Sequence, residues 1–221
     1  MDPEAPGGKR AQILVTVSRE YGAGGRVVGL AVAEKLGAEV VDSLLVDEVA
    51  RRLQLPSEVV QGWDERREGV ILRLLRAMQA AHPEYTSPLG TEVVAGGPDP
   101  DRVGVVVQEV IREEARSQRA VFVGRGASLV LAGHPRALHV RLVAPRADRI
   151  ANIAERRSIT ADEAGKEVDR RDRERRDWVK HHFGADPRDP LHYAMVLNTG
   201  QLGYEGAVDL IVRAALAKAG A

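Results

Sequence analysis

A run of β-formers, Ile13-Leu-Val-Thr-Val17, passes through Ser18-Arg-Glu-Tyr-Gly-Ala-Gly-Gly25 into a helical pattern from Arg26 to Leu36 that stops at Gly37. Strand, glycine loop and helix in that order leave few folds open, because a strand followed directly by a helix continues most economically into a second, parallel strand. Ala38-Glu-Val-Val-Asp42 supplies that strand and ends in a carboxylate, and Leu44 to Leu53 reads as a second helix. The opening is therefore a βαβ unit.

The β signal then vanishes between Pro56 and Pro100, where Ile71, Leu74, Leu75 and Met78 share one helical face. This predicts a helical insertion over 56–100, closed by a glycine- and proline-rich loop from His82-Pro83 to Gly96-Gly-Pro-Asp-Pro100. Alternation resumes with a helix that turns Val107, Val110 and Ile111 inward, then strand Ala120–Val123 and a second glycine turn, Gly124-Arg-Gly126. A short helix from Ala127 to Leu131, a strand from Ala137 to Val143 and a helix from Pro145 to Arg157 follow. Thr160-Ala-Asp-Glu163 has capping-box spacing and opens a charged helix to about Lys180. Met195–Leu197 is a fifth strand, and Tyr204 to Lys218 is a closing helix with Val208, Ile211, Val212 and Ala215 inward.

Five apolar strands alternating with helices predict an α/β fold, a parallel sheet with helices on both faces. Ligands of such sheets bind at the carboxyl ends of the strands. Here those ends carry Gly22–Gly25, Asp42, Gly124-Arg125-Gly126 and Asn198-Thr199.

Composition removes several function classes. Lys plus Arg and Asp plus Glu are 32 each, so there is no global basic field for nucleic acid, and no nucleic-acid partner is expected. Without cysteine there is neither a disulfide framework nor a thiol nucleophile, which suits a cytoplasmic location. The apolar runs are too short to cross a bilayer, so no membrane association is expected, and residues 1–12 read as a disordered tail. The remaining residues, 13–221, are expected to form a single domain. A homodimer is compatible with it.

A glycine loop between strand and helix lets backbone N–H groups approach a phosphate at a helix N-terminus. Gly22, Ala23, Gly24 and Gly25 suit that use, although the strict pattern G-x-x-x-x-G-K-[ST] fails. Glu20 stands where its first glycine would be, Arg26 follows Gly25 instead of lysine, and Val27 replaces the hydroxyl. The alternative is a tight structural turn. The spacing also departs from G-x-G-x-x-G, which argues against a dinucleotide-dependent oxidoreductase.

Arg125, between two glycines at a strand end, is placed to clamp a phosphate with its planar guanidinium, or to serve as a structural ion pair. Arg170-Arg-Asp-Arg-Glu-Arg-Arg-Asp177 reads either as a phosphate-covering lid or as a solvated helix self-paired at i,i+4 through Glu167–Arg171, Asp169–Arg173 and Asp172–Arg176. Arg149, Arg156 and Arg157 share that ambiguity. His181-His182 are adjacent and lack a second ligand cluster, so no protein metal site is expected; Trp63 and Trp178 are read as packing residues.

The loop Ser18-Arg-Glu-Tyr-Gly-Ala-Gly-Gly-Arg26, with Val41-Asp42, Gly124-Arg-Gly126, Arg149, Arg156-Arg157, Asp172, Arg175-Arg176 and Leu197-Asn-Thr199, resembles the cytidylate kinase-like family from about Ile13 to Leu216. The resemblance implies a three-layer P-loop NTPase-like fold with a five-stranded parallel sheet, the 56–100 insertion and a lid over 157–180. It implies ATP and Mg²⁺ as cofactors, a nucleotide as partner, and transfer of the γ-phosphoryl group to a nucleoside monophosphate or similar acceptor. By the same resemblance Gly22, Ala23, Gly24, Gly25, Arg26 and Arg149 would hold the donor, with Arg26 standing in for the missing lysine or, if the helix ends are aligned instead, Gly25 in the lysine place. Arg19, Asp42, Arg125 and Asp172 would meet the acceptor, and Arg26, Arg125, Arg175 and Arg176 would act on the transferring group. Asp42 equally suits a local loop carboxylate. A non-catalytic nucleotide-binding regulator on the same fold is the alternative, since the loop lysine and hydroxyl are absent.

Overall fold

The computed structural model describes residues 12–41, 48–49, 51–53, 100–116 and 119–220. The chain divides into two compact units, Met1–Val41 with Glu113–Ala221, and Asp42–Arg112. The expected insertion falls in the second unit and, like the expected N-terminal tail and Asp42, lies outside the described residues apart from the ends Gln12 and Pro100. In the first unit, β1 (Ile13–Arg19), α1 (Gly25–Leu36) and β2 (Glu39–Val41) form the predicted opening.

α2 (Pro100–Glu114) bridges the two stretches of sequence and leads to β3 (Arg119–Val123) and a short α3 (Ala127–Val130). β4 (Ala137–Val143), α4 (Arg146–Arg157) and α5 (Ala161–Phe183) come next. A 3₁₀ turn (Pro190–His192), β5 (Met195–Asn198) and α6 (Thr199–Gly220) complete the chain. The sheet order is β2-β3-β1-β4-β5 with every pairing parallel, the arrangement of a P-loop NTPase-like fold. β1 sits between β3 and β4, so its carboxyl end lies beside both of theirs.

Both faces of the sheet are buried, as parallel strands require. On one face Ile13, Val15 and Val17 meet Val121, Val123, Leu138, Val140 and Leu142, and α1 and α6 close over them with Val28, Val32, Leu36, Val208, Ile211 and Ala215. Full burial of each such side chain is worth about 1.5–3 kcal/mol, which fixes the register of the strands under the two helices. On the other face Leu14, Thr16, Ala120 and Phe122 are equally buried.

The element ends follow local chemistry. α1 stops at Gly37 in the left-handed conformation, φ 58°, and α5 begins with the full Thr160–Glu163 capping box. α5 runs three residues past the expected end at Lys180, because the next residue able to adopt the left-handed stop is Gly184, φ 63°. α6 starts earlier than Tyr204, as a turn from Thr199 broken at Gly203, whose φ 67° and ψ 172° are accessible essentially to glycine.

Candidate functional site

Two glycine turns lie side by side at the carboxyl edge of the sheet, since β1 and β3 pair through Val17 and Val123 and the amide of Gly124 donates to the Val17 carbonyl at 3.0 Å. In the first turn Gly22 and Gly24 have φ of 86° and 79°. Neither admits a side chain: a Cβ on Gly22 would fall 2.7 Å from the Arg149 carbonyl, and one on Gly24 would enter the Tyr204 ring. In the second turn three consecutive residues are left-handed, Gly124 at 83°, Arg125 at 61° and Gly126 at 70°. Arg125 is thus a non-glycine residue held at positive φ, a conformation that costs roughly 1–2 kcal/mol. Phe183 and Trp178 pack where a Gly126 side chain would stand.

The first turn is fastened from behind by α4 and α5, the second of which carries most of the 157–180 stretch expected as a lid. Tyr21 is 3% exposed and every polar group it has is held. Its amide donates to Asp172 Oδ1 at 2.8 Å, its carbonyl accepts from Arg149 Nη1 at 3.2 Å, and its hydroxyl donates to Glu167 Oε1 at 3.0 Å. Three guanidiniums lie over its ring, those of Arg175 at 5.2 Å and of Arg156 and Arg171 at 5.8 Å. Ile153, Ala164 and Val168 pack around it.

Arg149, 8% exposed, bonds the Ala144 carbonyl and pairs with Asp172 at 2.5 Å and Glu20 at 3.4 Å. Glu20 also lies 3.8 Å from the buried Arg141 and accepts from the Ala144 amide. A carboxylate at the place of the pattern's first glycine therefore pairs with two buried arginines. Of the three ion pairs anticipated along α5, Glu167–Arg171 forms at 3.6 Å. Asp169 and Asp172 instead reach across to Arg146, at 2.7 Å, and Arg149, because α4 packs alongside and its guanidiniums project toward them. Arg146 holds the Asp169 carboxyl below its ordinary range by direct hydrogen bonding.

The expected residues fall into three groups. Arg19, Gly22, Ala23, Gly24, Gly25 and Arg125 gather at the paired strand ends. Arg149, Asp172 and Arg175 stand behind Tyr21, while Arg176 is half-buried toward Asp186, whose carboxyl is lowered to about 2, chiefly by Arg188 and less by Arg176. Arg26 is exposed on the first turn of α1 and bonds no described residue.

Sequence reasoning missed Tyr21, Glu20, Asn152 and Tyr204. Asn152 donates to the Gly22 carbonyl and to the Tyr204 hydroxyl, each at 3.1 Å, and the Thr199 hydroxyl donates to the Ala23 carbonyl at 3.1 Å. An aromatic residue inside a glycine loop was a usable signal for Tyr21; Asn152 carries none, being one polar residue on a polar helix. Beside these groups an open cleft of roughly 290 Å³ is lined by Ala144, Asp148, Asn152, Thr199, Gly200, Gly203 and Tyr204.

Among the described residues no three His, Asp or Glu side chains cluster to hold a metal, and Val27 is 54% exposed where a magnesium-binding hydroxyl would stand. The described residues do not by themselves form a site for a protein-held Mg²⁺. Nor is any helix among them long and apolar enough to cross a membrane.

The family model and one solved structure agree with this architecture. The model of the cytidylate kinase-like family matches residues 14–201. An uncharacterized protein from Eubacterium ventriosum has a similar structure, with TM-score 0.67 at 20% identity, covering 93% of this chain and 99% of that one. A shikimate kinase from Acinetobacter baumannii, in complex with shikimate, gives TM-score 0.47 at 19% identity over 94% and 95% of the two chains. A uronate isomerase of Corynebacterium glutamicum is 29% identical over 99 residues, 45% of this chain; the chain thus spans about a fifth, 19%, of that curated relative. The glycine loop, the sheet order and the family match over residues 14–201 place this chain in the cytidylate kinase-like family.

Proposed function

We propose that this protein is an ATP-dependent phosphotransferase acting on a nucleoside monophosphate or a similar small phosphorylated acceptor in the cytoplasm. The observation that carries the reading is the pairing of two left-handed turns on adjacent strand ends, with arginine side chains at both. Successive left-handed or turn residues point backbone N–H groups into one concavity, which suits an anion. Phosphoryl transfer asks mainly for positioning and charge neutralisation, so such a site needs no protein nucleophile.

In this reading the amides of Gly22 to Gly25 and the N-terminus of α1 hold the donor phosphates. The cleft beside Asp148, Asn152 and Tyr204 receives the nucleoside end of ATP, and Arg125 orients the acceptor phosphate. An oxygen of that phosphate attacks the γ-phosphorus, the bond to the bridging oxygen breaks, and ADP leaves with its electron pair. Arg175, behind the loop, adds positive charge nearby. Mg²⁺ would enter on the nucleotide's own phosphates and waters, not on a carboxylate set of the described residues.

The test is ADP release, coupled to a dehydrogenase assay, across cytidine, uridine, adenosine and other monophosphates with ATP and Mg²⁺. Turnover with one or more acceptors is the expected result. A second reading, a nucleotide-binding regulator, is favoured by one observation: Tyr204 packs on Gly24 where the loop would meet its ligand. Calorimetric ATP binding without ADP release would support the regulator and contradict the enzyme.

A further inference from the structure

Arg19 is the last residue of β1, and its side chain links the two glycine turns. Its stem lies under the first residue of α1: a Cβ on Gly25 would fall 2.5 Å from Arg19 Cγ and 3.0 Å from its Cδ. Its guanidinium rests against Gly124, where an added Cβ would overlap Nη1 and lie 2.7 Å from Cζ. Two positions thus lack side chains where the Arg19 side chain runs, Gly25 beside its stem and Gly124 beside its guanidinium. Neighbouring strands are about 4.8 Å apart, so a group passing from one turn to the other must cross this space.

Arg26, by contrast, which stands in the pattern's lysine place when the loop is counted back from Gly25, projects into solvent from α1. We propose that Arg19, not Arg26, supplies the positive charge that a loop lysine gives elsewhere, contacting the donor γ-phosphate and the acceptor phosphate through the two arms of its planar fork. The inference rests on the phosphotransferase reading. It explains how a loop without lysine or hydroxyl remains competent: the charge arrives from the strand before the loop instead of the helix after it. A fork can span two phosphates, whereas an ammonium is a single point charge on a shorter reach.

The experiment measures kcat and KM for ATP, ADP affinity by calorimetry, and thermal melting for the wild type, R19Q, R19K and R26Q. Loss of a preorganised charge at a transferring phosphoryl group costs about 10²–10³-fold in kcat, which is the expectation for R19Q. R19K is expected to lose about tenfold or more, because its amine cannot bridge, and R26Q to lose less than R19Q. ADP affinity should be unchanged in R19Q and R19K, since ADP lacks the γ-phosphate that Arg19 is proposed to contact.

Folded R19Q or R19K with wild-type kcat, or a larger loss in R26Q than in R19Q, would overturn the proposal. If R19Q does not fold, R19K decides. If neither folds, Arg19 is a structural strut and the proposal is wrong. A wild type that neither binds nor turns over ATP refutes the phosphotransferase reading itself, an outcome distinct from a competent wild type with a dispensable Arg19.

Discussion

The two glycine turns have the same local plan, strand to left-handed glycine to helix, yet they are held in opposite ways. The first is braced by side chains from distant sequence: Tyr21 is clasped by Asp172, Arg149 and Glu167, and Asn152 and Thr199 secure the carbonyls of Gly22 and Ala23. The second carries its unfavourable conformation on the functional candidate itself, Arg125 at φ 61°. The contrast teaches that a bound phosphate can be prepared for in two ways. One turn is rigid because its surroundings determine it, and the other stores strain in the residue proposed to touch ligand.

Breaking the brace should cost most. R149M takes the buried guanidinium away from Asp172 and leaves Glu20 with Arg141 alone, and a destabilisation of about 3–5 kcal/mol is expected, read as a loss of roughly 10 °C in Tm. An unchanged Tm would show that the brace does not hold the first turn. Y21F is milder, removing the hydroxyl shared by Glu167 and Arg156 while keeping the ring under the three guanidiniums; about 1.5–3 kcal/mol should be lost by denaturant titration. Equal losses in Y21F and Y21A would mean that the ring itself contributes nothing.

The second turn should answer in the other direction. R125G relieves a left-handed side chain and should leave stability equal or higher by up to about 1 kcal/mol, a Tm gain of at most about 2–4 °C, while weakening monophosphate binding in calorimetry. A fall in Tm would identify Arg125 as structural and erase the distinction between the turns.

The smallest effect lies beneath both turns, at His139, whose ring nitrogen bonds the buried Thr16 hydroxyl at 2.9 Å. Burial pushes the imidazole below its ordinary 6.5. A lowered folded-state value means that the unfolded chain takes up the proton first, so stability is intact above that ordinary value and declines as pH falls through the folded one. Melting at pH about 7.5 and about 5.5 should show a drop that is smaller in H139Q by about a degree or two. Identical drops would place the pH sensitivity elsewhere.

Much of this was legible in the sequence. β-branched runs and glycine stops marked the five strands and α1, and the Thr160–Glu163 spacing marked the start of α5, because those signals are local. The partners of the arginines were not legible: the i,i+4 rule assigns Asp169 and Asp172 to α5, yet tertiary packing gives them to Arg146 and Arg149 on α4. Helix-surface spacing reports which charges can meet along one helix and is silent about a neighbouring one. Glu20 looked like a defect in a phosphate loop and is a counter-charge for Arg141 and Arg149. Arg19 and Arg26 were likewise ranked by position in a pattern, whereas their roles depend on which one points between the strands.

The most direct test is a crystal structure with a non-hydrolysable ATP analogue and CMP. The γ-phosphate oxygens should lie within roughly 3 Å of amides in the Gly22–Gly25 turn and of the Arg19 guanidinium, with the CMP phosphate on Arg125. A triphosphate bound away from the paired turns, with Tyr204 still seated on Gly24 and Arg125 touching no ligand, would contradict the account.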